Sequence, residues 1–160
     1  MDEITTKKIQ ETENISTSTG EEKYIEIYPE QYEKSKEFAS KLVKILDSKK
    51  AGNIKLVEIG KQTIIADFFV IATGTSSTHI RSLAGELEFQ LKEEGTEASR
   101  VNASNDWVAI DFDSVIVHIF NSEAREYYKL EKLWGDGENI DVEKMIDEID
   151  EMDENEGDEE

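Results

Sequence analysis

Residues 107–134 read WVAIDFDSVIVHIFNSEAREYYKLEKLW, and how this stretch pairs with itself decides the architecture. Two apolar runs flank Asp113-Ser114, and a helix-like segment follows to Leu133-Trp134. A two-residue turn at Asp113-Ser114 sets Phe112 opposite Val115, Ile110 opposite Val117 and Val108 opposite Ile119, because directly paired residues of a hairpin point to one side of the sheet. That side is wholly apolar and is expected in the core. The same parity puts Asp111 opposite Ile116, Ala109 opposite His118 and Trp107 opposite Phe120 on the other side. Large rings beside a carboxylate and an imidazole suit a surface that docks another molecule.

Upstream, Phe68 to Ala72 is an unbroken apolar run between Asp67 and Gly74, the pattern of a central strand buried on both faces. Ile80, Leu83, Ala84, Leu87 and Leu91 share one helical stripe, with Ser76 or Ser77 as N-cap and Gly95 as the stop. A second helix is predicted from about Gln31 to Lys50, where Phe38, Ala39, Leu42, Val43, Ile45 and Leu46 recur at three and four; Gly52 is its expected stop. Pro29, the single proline, marks a boundary before it. Ile54 to Ile59 alternates apolar with polar as a half-buried strand does, Gly60-Lys61-Gln62 turns the chain, and Ala98 to Val101 reads as a short strand. Strand, helix and strand joined by short links require a crossover. The expected fold is therefore α/β, a mixed β-sheet with flanking helices.

The formal charge of −20 is unevenly spread. Residues 1–33 hold nine acids against three lysines, residues 136–160 fourteen against one, and residues 34–135 fifteen against fourteen. The division expected is a disordered polar arm at 1–31, an α/β domain at 32–135 and an acidic tail at 136–160. Within the arm, Tyr24, Ile25, Ile27 and Tyr28 suit a short strand or docking segment. Within the tail, Val142, Met145, Ile146, Ile149 and Met152 keep helical spacing over 140–152, so a helix there either folds back on the body or meets a partner. The absence of cysteine excludes a disulfide framework and thiolate chemistry. No apolar run approaches the about 18 residues of a membrane span, and Met1-Asp2-Glu3 has the wrong sign for a leader, so a cytoplasmic protein is expected. An anionic balance argues for little direct nucleic-acid contact.

Asp111 and Asp113 form an Asp-x-Asp that suits a magnesium ion, and Gly74-Thr75-Ser76 at a helix start suits a phosphate. Together they make a metal-dependent nucleotidyltransferase the alternative reading. Against it, Asp113 sits in a turn, where Asp is common for backbone reasons, and no third acid is placed by spacing. His79 reads as a surface or capping residue, and His118, in an apolar strand, as a structural or docking histidine. No Ser/His/Asp set has a spacing that suggests a triad, and metal-binding His/Cys clusters are absent. Arg125, Tyr127, Tyr128, Leu130, Leu133 and Trp134 are of the types that dominate interfaces. Two Trp, two Tyr and two Phe within 28 residues cannot all be exposed without aggregation, so part of them is expected beneath the surface.

Several ordered blocks resemble the ribosomal silencing factor, or Iojap-like, family from about Asp47 to Trp134. They are Asp47 with Lys50-Ala51, Asp67 with Phe69-Val70-Ile71-Ala72-Thr73-Gly74, Ser76 with His79, Trp107 with Asp111, Val117-His118-Ile119-Phe120, and Arg125 with Tyr128, Leu130-Glu131 and Leu133-Trp134. The resemblance implies a nucleotidyltransferase-like fold without its active site, and no cofactor or turnover. It implies binding to a protein on the intersubunit face of the large ribosomal subunit, which sterically blocks the small subunit and represses translation under nutrient limitation. Carried to this chain, it makes Trp107, Asp111, His118, Phe120, Arg125, Tyr128, Glu131, Leu133 and Trp134 the partner-binding residues. A homodimer through the ring-bearing face is a third reading.

Overall fold

The computed structural model describes residues 29–134 and 139–148. In chain order it contains α1 (Pro29–Ser48), β1 (Gly52–Glu58), β2 (Phe68–Thr73), α2 (Ser77–Glu93), β3 (Arg100–Ala103), β4 (Trp107–Asp111), β5 (Val115–Phe120), α3 (Ser122–Tyr128), α4 (Leu130–Leu133) and β6 (Asn139–Ile140). A further helical stretch covers 142–148. The strands form one mixed sheet in the order β3-β4-β5-β2-β1-β6, in which only β2 and β5 run parallel. This is the expected α/β architecture.

The hairpin pairs as its parity requires: Trp107 faces Phe120, Ala109 faces His118 and Asp111 faces Ile116. Phe112 donates its N–H to the Val115 carbonyl at 3.0 Å, and Asp113 takes the left-handed φ of 69° that so tight a reversal needs. Val108, Ile110, Phe112, Val115, Val117 and Ile119 all lie buried against α1 and α2. Helix α2 buries the stripe Ile80, Leu83, Ala84, Leu87 and Leu91, and Ser76 caps it by accepting the His79 N–H. Gly95 follows its end at φ 85°, a backbone state that costs a side chain roughly 1 kcal/mol. Gly95→Ala is expected to lower stability by about that amount in urea unfolding, although open space surrounds the position.

Several expectations shift. Helix α1 begins at Pro29, so residues 29–31 belong to it rather than to the arm; proline suits a first helical turn because its missing N–H would have no partner there. Gly52 does not stop α1. Lys50 does, at φ 63°, while Ala51 N–H bonds back to the Leu46 carbonyl and Gly52 opens β1. Strand β1 is not half-buried along its length: Leu56, Val57 and Glu58 are all buried, because β2 and β6 flank it and both faces are covered. Glu58 tolerates this by accepting from Tyr32 Oη at 2.9 Å with Lys61 Nζ 3.5 Å away. Strand β3 lies two residues later than expected, since Ser99 already donates to the Asp111 carbonyl at 2.8 Å and Ala98 turns into the core.

The folded body also extends past residue 135. Ile140 pairs with Leu56 on the β1 edge, and Met145 enters the main core with Val142 and Ile146 against it. The helical spacing foreseen over 140–152 is thus spent, within the described residues, on packing against the body. The Tyr24–Tyr28 segment, Ile149 and Met152 fall outside the described residues.

A candidate docking face and the cleft behind it

One face of the sheet is closed by α1 and α2, and the other is closed only in part. On the second face a smaller cluster of Val57, Ile59, Ala66, Phe69, Ile71, Phe120 and Ala124 is buried, with Trp107, Ile116, Leu130 and Trp134 half-covered around it. Helices α3 and α4 make that partial cover. Asn121 caps α3 by accepting the Ala124 N–H at 2.8 Å, and its own amide donates to the Asp106 carboxylate at 2.8 Å, which ties the helix start to the foot of β4. The segment foreseen as one helix is two, because Lys129 adopts φ 48° between them. That reversal turns Leu130 and Trp134 back onto the sheet, where Trp134 meets Phe69 edge-on at 5.5 Å.

The rings form a connected set. Trp107 lies 4.8 Å from both Phe120 and Tyr128, and its indole N–H donates to His118 Nδ1 at 3.1 Å. Phe69 meets His118 edge-on at 4.7 Å. An indole N–H only donates, so Nδ1 is the accepting nitrogen and the neutral ring carries its proton on Nε2, which is buried without an acceptor among the described residues. Burial lowers the His118 pKa from 6.5 to about 4.

The structure separates the nine predicted site residues into two groups. Tyr128 and Leu133 are exposed at 49% and 72%, and beside them Tyr127 reaches 81%; Trp107, Asp111, Glu131 and Trp134 are half-buried. Phe120 at 1%, and His118 and Arg125 at 8% each, are not surface residues. They lie beneath it, because the helices that follow β5 lean over them. Arg125 is a strut: its Nε donates to Glu131 and its Nη1 to the Asn53 carbonyl and to Thr73 Oγ1. It thereby ties α3 and α4 to the ends of β1 and β2.

The features suggesting a nucleotidyltransferase are not brought together. Asp111 pairs with Ile116, which is level with Phe69, whereas Thr73 is level with Phe120 and Trp107 at the other end of the sheet. Four residues of strand separate the two levels, about 13 Å. The Asp111 carboxylate accepts its own turn's Asp113 N–H at 2.8 Å, and Asp113 accepts from Ser99 Oγ at 3.0 Å. Ser76 is spent as the cap of α2. His79 staples that loop to the end of α1: Nδ1 accepts the Thr75 N–H at 2.9 Å, and Nε2 lies 3.1 Å from the Lys49 carbonyl. Among the described residues no group of three His, Cys, Asp or Glu is placed to hold a metal ion, and no helix is long and apolar enough to cross a membrane.

The sequence reading missed a cleft beyond the ends of β2 and β5, lined by Thr73, Ser122, Arg125, Lys129 and Lys132 among others. The signal available was Arg125, Lys129 and Lys132 at helical spacing, which aromatic neighbours masked.

Residues 32–160 match the family model described as ribosomal silencing factor during starvation, so the likeness runs past Trp134 into the acidic tail. A ribosomal silencing factor from Halalkalibacterium halodurans is 38% identical over 106 residues, 65% of this chain and 91% of that protein. A mouse protein named for mitochondrial assembly of the ribosomal large subunit is 32% identical over 104 residues, 58% of this chain and 43% of that protein. A crystal structure from Bacillus halodurans superposes with a TM-score of 0.59 at 32% identity, covering 66% of this chain and 98% of that one.

Proposed function

The chain belongs to the ribosomal silencing factor family, and from that premise we propose that it binds a protein on the intersubunit face of the large ribosomal subunit and so keeps the small subunit from joining. Translation is thereby repressed when nutrients are limiting, in the cytoplasm where the ribosomes are. The protein acts by occupying a surface, without cofactor or turnover. The observation that carries this reading is the half-covered second face of the sheet. Trp107, Tyr128, Leu133 and Trp134 present apolar and aromatic area there, while Phe120, His118 and the Arg125–Glu131 pair hold it in shape from beneath.

Rigid rings backed by buried contacts make effective anchors, since little side-chain entropy is lost on docking. Asp111 complements a basic ribosomal-protein patch and would slow encounter with bare RNA. The mouse relative's name, with its reference to the large subunit, supports that subunit as the target. Cosedimentation with purified subunits tests the proposal. The full chain should pellet with large and not small subunits and should lower the yield of joined ribosomes; binding to small subunits alone, or to neither, refutes it. Self-pairing through the same face would compete with docking, and light scattering over a concentration series would reveal it.

A further inference from the structure

Strands β2 and β5 end side by side, Thr73 against Phe120, and the chain leaves them in opposite directions. After β2 it enters α2, whose Leu83 and Leu87 pack on the first face; after β5 it enters α3, whose Ala124 packs on the second. In open α/β sheets such a split opens a crevice beyond the carboxyl ends of the parallel strands, where ligands commonly sit. At this end of the sheet α3 and α4 bound a cleft of about 570 Å³ together with Gly52 and Asn53 of β1 and Thr73 of β2, a volume within the range of small-molecule sites.

The chemistry of the walls is specific. Arg125, Lys129 and Lys132 line the cleft against Glu126 and Glu131, an excess of one positive charge in a chain of net charge −20. Arg125 is built in: it is 8% exposed, and Glu131, the Asn53 carbonyl and Thr73 occupy its Nε and Nη1. Its Nη2 is buried and has no acceptor among the described residues. A guanidinium N–H withheld from water and left unpaired is unfavourable, and an anionic oxygen is the acceptor that best relieves it. Thr73 Oγ1 accepts from Arg125, so its own O–H remains a donor. Ser122, Lys129 and Lys132 at the rim are exposed and can turn toward an entering anion.

We propose that this cleft binds a small molecule carrying a phosphoryl group, with the Thr73 hydroxyl as a donor in the wall, the buried Arg125 guanidinium supplying fixed positive charge behind it, and Lys129 and Lys132 closing over the remaining oxygens. The site does not depend on the docking reading. It shares α3 and α4 with the docking face, however, so a ligand held there would stiffen the mounting of Tyr128 and Trp134.

Titration of the isotope-labelled full chain with inorganic pyrophosphate, followed by amide chemical shifts at constant ionic strength, tests it. Saturable shifts are expected at Thr73, Ser122, Arg125, Lys129 and Lys132. The double variant Lys129→Ala/Lys132→Ala, altered only at exposed positions and so expected to fold, should bind about tenfold more weakly. Adenosine monophosphate in a parallel arm shows whether a nucleoside adds affinity to the phosphoryl contact. Shifts that follow ionic strength alone, fail to saturate, or persist undiminished in the folded double variant overturn the proposal.

Discussion

Trp107→Ala is expected to lower affinity for the large ribosomal subunit by about thirtyfold, equivalent to about 2 kcal/mol. The ring is half-buried at the rim of the second face, 4.8 Å from both Phe120 and Tyr128, so its removal takes away contact area and also unseats the neighbouring tyrosine. The core between the sheet and helices α1 and α2 contains neither Trp107 nor its ring partners, and the fold should survive. Cosedimentation with large subunits, alongside a thermal melt, separates the two effects. A folded variant that binds undiminished would remove Trp107 from the interface. Trp107→Phe distinguishes the ring from its N–H: if area dominates, most of the affinity returns, although the His118 Nδ1 acceptor is left unpaired.

The second large effect concerns pH. His118 is held neutral in the fold, with its pKa lowered from 6.5 to about 4 by burial, and protonation at Nδ1 would set two N–H donors against each other across the 3.1 Å contact with Trp107. The unfolded chain takes up this proton near pH 6.5 and the folded chain only near 4, so between those values the unfolded state binds more protons and stability falls as pH falls. The contribution is complete above about pH 6.5 and its loss amounts to about 3 kcal/mol once pH drops below about 4. The informative quantity is a difference between parent and variant. His118→Gln should flatten the dependence between those limits relative to the parent, measured by urea unfolding at a series of pH values. Equal slopes in parent and variant would show that His118 charges freely and that its contact with Trp107 does not govern the stability of this face.

What the chain's own order of residues determined was each element and the face it buries. The two-residue period through Asp113-Ser114 put Val108, Ile110, Val117 and Ile119 in the core, and the stripe from Ile80 to Leu91 with its Ser76 cap reproduced α2 to within a residue. The unbroken run at Phe68–Ala72 marked the central strand. These patterns are legible because burial on a regular backbone repeats at the period of that backbone.

Tertiary structure alone decided how much of the second face stays open, where the cleft lined by Thr73 and Arg125 lies, and that the stretch around Ile140 and Met145 belongs to the body. Helices α3 and α4 span seven and four residues, too short to be stable alone; they exist where Arg125, Trp134 and Ala124 find partners. The break at Lys129, which sends Trp134 to Phe69, leaves Tyr127 exposed and Phe120 covered, and no local period encodes it. Thr73, Asn53 and Arg125 meet from three separate parts of the chain. Their meeting is set by how the sheet orders its strands, a competition among packings of the whole domain rather than a preference of any one segment.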